Sequence, residues 1–251
     1  GGSGGWPRNY HLVFPQQRFD QRGRCQYFEE LVFLMLNADV LTFQEFVMHE
    51  TLPLSQIHSA VLEFLQGRKD TVLFGAQAVN AYVSEARMTQ DVDLLSIRAK
   101  DLPEDLKVYL GEKFHIAIRV REVAEGKGFR VYQLRSEGNR HLVDLRSVKT
   151  LPDTETIENI LVLSPVELIA SKVISYHSRK GKPKAGTDYR DIGMLLLRFD
   201  NLKTDVANLL KEKDVENSIW KPWTEIERQD FQFEDDDEDV LEPDPRPDLH
   251  R

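Results

Sequence analysis

Along TVLFGAQAVNAYVSEARMTQDVDLLSI (71–97) the spacing of apolar positions changes twice. TVLF (71–74) is a short β-rich run that stops at Gly75. AQAVNAYVSEA (76–86) then takes helical spacing, and DVDLLSI (91–97) returns to strand character. The same reading predicts a helix over LSQIHSAVLEFLQ (54–66), with Ser55 as N-cap after Pro53 and Gly67 as its end. DLPEDLKVYLGEKF (101–114) reads as a helix and HIAIRVREV (115–123) as a strand. FRVYQLRS (129–136) and RHLVDLRS (140–147) flank the turn-rich EGN, a hairpin signal.

Beyond the hairpin the pattern turns helical. VLSPVELIASKVISYHSR (162–179) opens on Ser164 and Pro165, three residues before Glu167, which is a capping-box arrangement. GKPKAG (181–186) reads as a basic loop, followed by helices over 187–199 and 200–213. Upstream, residues 26–49 have the length and apolar spacing of one or two amphipathic helices. The chain therefore divides into a linker (1–5, GGSGG), a helical extension (6–49), a mixed α/β domain (50–150), a helical domain (151–225) and an acidic tail (226–251). The acidic tail is expected to lack a packed fold, and the Trp-bearing linker before it to be pinned to the body by Trp220 and Trp223.

Composition narrows the class. With 251 residues, 41% hydrophobic content and a mean hydropathy of −0.44, the chain can bury a substantial core. The apolar run LVFLML (31–36) is far shorter than a membrane span, and the N-terminus shows no signal-peptide pattern. A single cysteine, Cys25, excludes an internal disulfide framework and a cysteine-rich zinc site, so a cytoplasmic setting is expected. The net charge of −9 is unevenly spread: residues 230–251 hold ten acidic side chains against Arg246 and Arg251, a net of −8. The remaining body is close to neutral and can carry a basic groove.

The chemistry concentrates at 74–96. A strand ending in glycine and running into a helix exposes backbone N–H groups at the positive end of a helix dipole, which suits phosphate. On a strand, Asp91 and Asp93 share one face, while Val92 and Leu94 take the other. Two carboxylates on one face suit Mg²⁺, a hard cation that prefers oxygen ligands. In HLVDLRS, alternation puts His141, Val143 and Leu145 on one side and Leu142, Asp144 and Arg146 on the other. If this strand neighbours 91–97, Asp144 reaches the pair, as a further metal ligand or as the base for an attacking hydroxyl.

A glycine turn followed by Asp-x-Asp resembles the polymerase-β-type nucleotidyltransferase superfamily. GAQAVNAYVSEARMTQDVDLL, with Arg87, Thr89, Asp91 and Asp93, is similar to the AbiEii-like nucleotidyltransferase toxins of toxin–antitoxin and phage-defence systems. LSPVELIASKVISYHSR and GTDYRDI continue that likeness, placing Lys172, Asp188 and Asp191; the three blocks span roughly 70–200. The resemblance implies a nucleotidyltransferase fold with a mixed sheet, followed by a helical C-terminal lobe. It also implies transfer of a nucleoside monophosphate from an NTP, dependent on Mg²⁺ or Mn²⁺, with RNA as acceptor. In the MenT-like relatives that acceptor is the 3′ end of tRNA. A cognate antitoxin is the protein partner it suggests.

By the same resemblance Asp91 and Asp93 bind metal, and Gly75 with the N–H groups of Ala76 and Gln77 cradles the triphosphate. Lys172 meets a phosphate, and Asp188 or Asp191 organises the base or acceptor. Gly75–Ala76 departs from the Gly–Gly or Gly–Ser usual in the family, which removes a hydroxyl but keeps the backbone donors. Other readings of these residues stay open. Arg87 can fix its loop by an ion pair, Thr89 can be a loop polar group, and Lys172 can be an exposed helix lysine. Asp188 and Asp191 can serve a helix N-terminus. Arg179, Lys180, Lys182 and Lys184 suit RNA phosphates or a solvated turn. Two rival functions also fit: adenylylation of a protein or small molecule, and a silent nucleotide-binding module.

Overall fold

The computed structural model describes Glu45 and residues 50–232. The predicted N-terminal helices, Cys25 and most of the acidic tail lie outside the described residues. Helix α1 (Leu54–Leu65) buries Ile57, Ala60, Val61, Leu62 and Leu65, the helical stripe read from the sequence. Ser55 is not its cap. Pro53 occupies the cap position, and the free N–H of Leu54 donates instead to the carboxylate of Glu45 at 2.8 Å. Gly67, at φ +74°, ends the segment as expected.

Strand β1 (Thr71–Phe74) leads directly into α2 (Gly75–Asn80), which is shorter than the helical spacing of 76–86 predicts. The Asn80 side chain stops it: its amide donates to the Arg87 carbonyl at 2.8 Å and its oxygen accepts from the Arg87 N–H at 3.1 Å. Competition of this kind between an Asn side chain and the backbone ladder favours a turn over further helix. Then follow β2 (Val92–Ser96), α3 (Leu102–Phe114), β3 (Ile118–Val123), β4 (Gly128–Gln133) and β5 (Arg140–Ser147).

Two further strands, β6 (Thr154–Ile157) and β7 (Ile160–Leu163), were not marked in the sequence reading, which begins a helical half here. Their hairpin turns on Glu158 and Asn159, both at positive φ, as a two-residue connection requires. The described strands form one seven-stranded mixed sheet in the order β3-β4-β5-β2-β1-β7-β6. β1 runs antiparallel to β2 and parallel to β7, while β2 runs parallel to β5. Parallel pairing of β2 with β5 buries Val92, Leu94, Val143 and Leu145, with α1 packed on β5 and α3 on β3 and β4.

The helical half begins at α4 (Pro165–Ser178), with Ser164 as N-cap accepting from the Glu167 N–H, as the capping-box pattern predicts. α5 (Pro183–Arg198) starts within the predicted basic loop, so Lys184, Ala185 and Gly186 are helical. Proline at the first helical position explains the early start. Asp188 and Asp191 consequently lie inside the helix rather than in its first turn, and both are buried. A 3₁₀ turn (Asp200–Leu202), α6 (Lys203–Glu212) and α7 (Asn217–Glu227) complete the order.

The Trp-bearing stretch is therefore a helix, not a linker: Ile219, Trp223 and Ile226 recur at helical spacing and are buried. Trp223 does pin it to the body, at 1% exposure. The packed chain also extends past residue 225, since Phe231 lies against Gly193 and the Tyr189 ring. No helix among the described residues is long and apolar enough to cross a membrane.

Candidate active site

Gly75 is the first residue brought to the site, and its conformation explains its identity. At φ +72° it adopts a backbone that side-chain-bearing residues rarely take. Any Cβ there would collide with the Asp93 carboxylate, whose Cγ would lie 2.7 Å away. The turn between β1 and α2 is thus seated directly on Asp93.

Asp93 in turn has Phe74 as its antiparallel partner on β1 and Asp144 as its parallel partner on β5. Paired residues share a face, so Asp93 and Asp144 point to the same side. This is the adjacency on which the sequence assignment of Asp144 depended. Arg130, opposite Asp144 on β4, approaches its carboxylate to 3.7 Å.

Asp91 precedes β2 and lies within the same acidic group. His141 Nδ1 sits 3.1 Å from its carboxylate, and His141 Nε2 sits 3.1 Å from the Val143 carbonyl oxygen. Strict alternation had put His141 on the side away from Asp144. A register shift between Val131 and Tyr132 leaves Leu142 without a partner on β4, and the extra residue turns His141 toward Asp91. A bulge of this kind leaves no mark in an alternating pattern.

The electrostatics separate the two aspartates. His141's hydrogen bond holds the Asp91 carboxyl below its ordinary range against the effect of burial, with added help from the charges of Lys184 and His58. Burial, reinforced by the negative charges of Asp91 and Asp144, pushes Asp93 up to about 6, although Arg146 and Lys172 oppose this. His58, from α1, is buried nearby with no partner for Nε2, and burial lowers it to about 4. His58, Arg130, His141 and Arg146 escaped the sequence reading because their only signal is tertiary proximity.

A second cluster gathers residues from 87 to 191. Arg87 forms a two-bonded pair with Asp191, Nε and Nη2 each at 2.9 Å. Lys172 Nζ lies 2.6 Å from Asp191 and 3.5 Å from Asp188. Arg179, on the far side of Asp188, closes the network at 2.7 Å. Burial alone would raise Asp191, but hydrogen bonds from Arg87 and Lys172 together with their charges hold its carboxyl low. Lys172 is thus a buried lysine bonded to two carboxylates, not an exposed one, and Arg87 fixes its loop by an ion pair.

The remaining candidates are dispersed. Gln77 donates its side-chain amide to the Thr89 hydroxyl at 2.8 Å, which ties α2 to the loop before Asp91. Lys180, Lys182 and Lys184 are exposed around the start of α5. Of these, Lys184 lies near enough for its charge to help lower the Asp91 carboxyl.

Among the described residues no group of three or more His, Cys, Asp or Glu side chains stands ready to hold a metal ion. That does not conflict with Mg²⁺, which is commonly bound by one or two carboxylates and completed by water and substrate phosphates. The donor set fits such an ion: Asp91 and Asp93 offer hard oxygen ligands, and Asp93, raised by burial first and by its acidic neighbours second, holds a charge that a cation would stabilise.

Comparison with known families matches residues 59–250 to the description "Nucleotidyl transferase AbiEii toxin, Type IV TA system". No curated protein matches. Among solved structures, the Megavirus polyadenylate synthase aligns with a TM-score of 0.50 and 12% identity over 77% of this chain, which spans 40% of that protein. JHP933 from Helicobacter pylori aligns with a TM-score of 0.45 and 12% identity, covering 75% of this chain and 90% of its own. ANT(2″)-Ia, in complex with adenylyl-2″-tobramycin, gives a TM-score of 0.38 and 15% identity, with 74% and 97% covered. At 12% identity the likeness to the Megavirus polyadenylate synthase speaks of fold alone.

Proposed function

The chain belongs to the AbiEii nucleotidyltransferase toxin family, and on that premise we propose that it transfers a nucleoside monophosphate from an NTP to an RNA acceptor. The 3′ end of tRNA is the acceptor we favour, and pyrophosphate is the product released. The setting is cytoplasmic, with a cognate antitoxin as partner. The observation that carries this reading is the direct pairing of Asp93 with Asp144 beneath a glycine turn that tolerates no side chain.

In this reading Asp91 and Asp93 hold Mg²⁺, or Mn²⁺ in its place. Bound there, the ion supplies Lewis-acid charge to the phosphate oxygens. Backbone N–H groups of Ala76 and Gln77 meet the triphosphate above Gly75, where the turn brings main chain close to Asp93. Asp144 accepts the proton of the acceptor hydroxyl, whose oxygen forms the new bond to the α-phosphorus as the bond to the pyrophosphate oxygen breaks. Lys184 and its neighbours Lys180 and Lys182 supply positive charge for phosphates approaching from the helical lobe. Arg87, Lys172, Asp188, Asp191 and Arg179 act at one remove, bracing the loop that carries Thr89 against α4 and α5.

Incubation with Mg²⁺, each labelled NTP and total RNA tests the proposal, with Asp93→Ala beside the native chain. Label moving onto a discrete RNA band, and absent in the variant, is the expected outcome. Pyrophosphate released only when protein or small-molecule acceptors are added would replace RNA with one of those. Binding of NTP without any transfer would leave a silent nucleotide-binding module.

A further inference from the structure

Arginines continue across the sheet from the aspartates. Arg121 on β3 pairs with Arg130 on β4, Arg130 with Asp144 on β5, and Asp144 with Asp93 on β2. These four positions form one row across four strands, and cross-strand partners share a face. A second row lies beside it: Arg119 pairs with Tyr132, Tyr132 with His141, and His141 reaches Asp91. Arg146, on the same face as Asp144, places its guanidinium 4.9 Å above the Phe74 ring. Each row thus starts at an aspartate and ends at an arginine on the outer strand.

The face is open and electrically uncommitted at its outer end. Arg119, Arg121, Arg130 and Arg146 are exposed, whereas their sequence neighbours Phe129, Val131 and Leu145 are buried on the side that faces α3. Among the described residues Arg119, Arg121 and Arg146 form no ion pair. Tyr132 lies 5.0 Å from the His141 ring, centroid to centroid, which places an aromatic surface between the outer arginines and the carboxylates. Four strands at their usual spacing span roughly 14 Å from Asp93 to Arg121, a length of a few nucleotides of extended strand.

We propose that this Arg119–Arg121–Arg130–Tyr132 face is the track for the acceptor polynucleotide, its reactive end at Asp93 and Asp144 and its upstream phosphates on β3. The inference rests on the RNA-acceptor reading above and makes the sheet the main track, with the basic turn before α5 a lesser contact. Arginine suits the role because its planar fork binds phosphate oxygens in pairs. The tyrosine suits a stacked base, since alternating cations and aromatic rings are the common means of holding single strands without reading sequence.

Fluorescence anisotropy with a labelled single-stranded 20-mer oligoribonucleotide tests this, titrated over a range of KCl concentrations with the full chain. In R119A/R121A we expect affinity to fall by about 10-fold or more, with the slope of log K against log[salt] reduced by about 1.4. R119K/R121K should recover most of the salt slope, and NTP binding should stay unchanged in both. A Lys180→Ala/Lys182→Ala chain should lose less than the arginine variant. Unchanged RNA binding in R119A/R121A, beside clear binding by the native chain, overturns the track and leaves the RNA reading intact. Tighter binding overturns it too and makes the acidic segment 230–251 the occupant of this face. Failure of the native chain to bind or modify any RNA removes both.

Discussion

Two groups of charged side chains lie close together in this protein and are built on opposite terms. On the sheet, Asp91, Asp93 and Asp144 lie close together, and burial, reinforced by the charges of Asp91 and Asp144, pushes Asp93 up to about 6. Between α4, α5 and the loop before β2, Asp188 and Asp191 are more deeply buried still, yet Lys172, Arg87 and Arg179 neutralise them. In the first group Asp93 has no ion pair among the described residues, the place that the proposed reading gives to a cation. The second is already satisfied and holds two parts of the chain together. Sequence spacing alone gives all these residues the same appearance, that of acids and bases near a glycine turn.

The largest expected effect tests the first group. Asp93→Ala should lower nucleotidyl transfer by at least about 10³-fold, comparable with losing a preorganised group that stabilises the transition state. Thermal melts should show no matching loss of stability. Labelled-NTP transfer to RNA is the assay, and near-native turnover would remove Asp93 from the chemistry. Gly75→Ala should approach the same loss, by about 10²-fold, because the new Cβ must displace the Asp93 carboxylate.

For the second group the effect should appear in folding instead. Asp191→Ala strands Lys172 and Arg87 around a buried gap and should cost about 3–5 kcal/mol in urea unfolding. Lys172→Met, which leaves two carboxylates to Arg87 and Arg179, should cost somewhat less. If Lys172→Met melts like the native chain while transfer disappears, the lysine belongs to the first group and the contrast between them fails.

The smallest effect is a difference in the sign of pH dependence. Asp93's folded pKa is raised from 3.8 to about 6, so its contribution favours the folded state below 3.8 and is lost as pH rises through 6. Asp191's is depressed, so its contribution is present above the ordinary carboxylate range and lost as pH falls through its folded value. Asp93→Asn should therefore be more stable than the native chain at pH 7, by on the order of 2 kcal/mol, and the two should converge near pH 4. Chemical denaturation at both pH values in metal-free buffer measures this; a variant less stable at pH 7 would show that Asp93 is not under strain.

Much of this was legible in the chain. TVLF ending on Gly75, the Asp91–Asp93 pair and the Ser164–Glu167 capping pattern are local, and each element formed where its spacing placed it. Asp144 was legible as a candidate because HLVDLRS alternates, but its worth depended on pairing with β2. β6 and β7 were missed because four-residue strands give too few periods to separate from a loop, although Glu158–Asn159 ahead of the apolar run ILVL was a usable turn signal. His141 was assigned to the other face, since one unpaired residue at Leu142 reverses a period of two.

Sequence by itself determined parts whose cause is local: the β1 strand running into a glycine turn, the capped start of α4, and the long amphipathic helix α1. Backbone preferences and side-chain periodicity act over a few residues, so they can be read in order along the chain. Only the tertiary structure decided what each charge faces. It set Asp144 beside Asp93, gave Lys172 to Asp188 and Asp191, and lined Arg119 and Arg121 up with the aspartates across four strands. An electrostatic interaction depends on distance through space and on the burial of both partners, and residues 104 positions apart along the chain meet here, as Arg87 and Asp191 do.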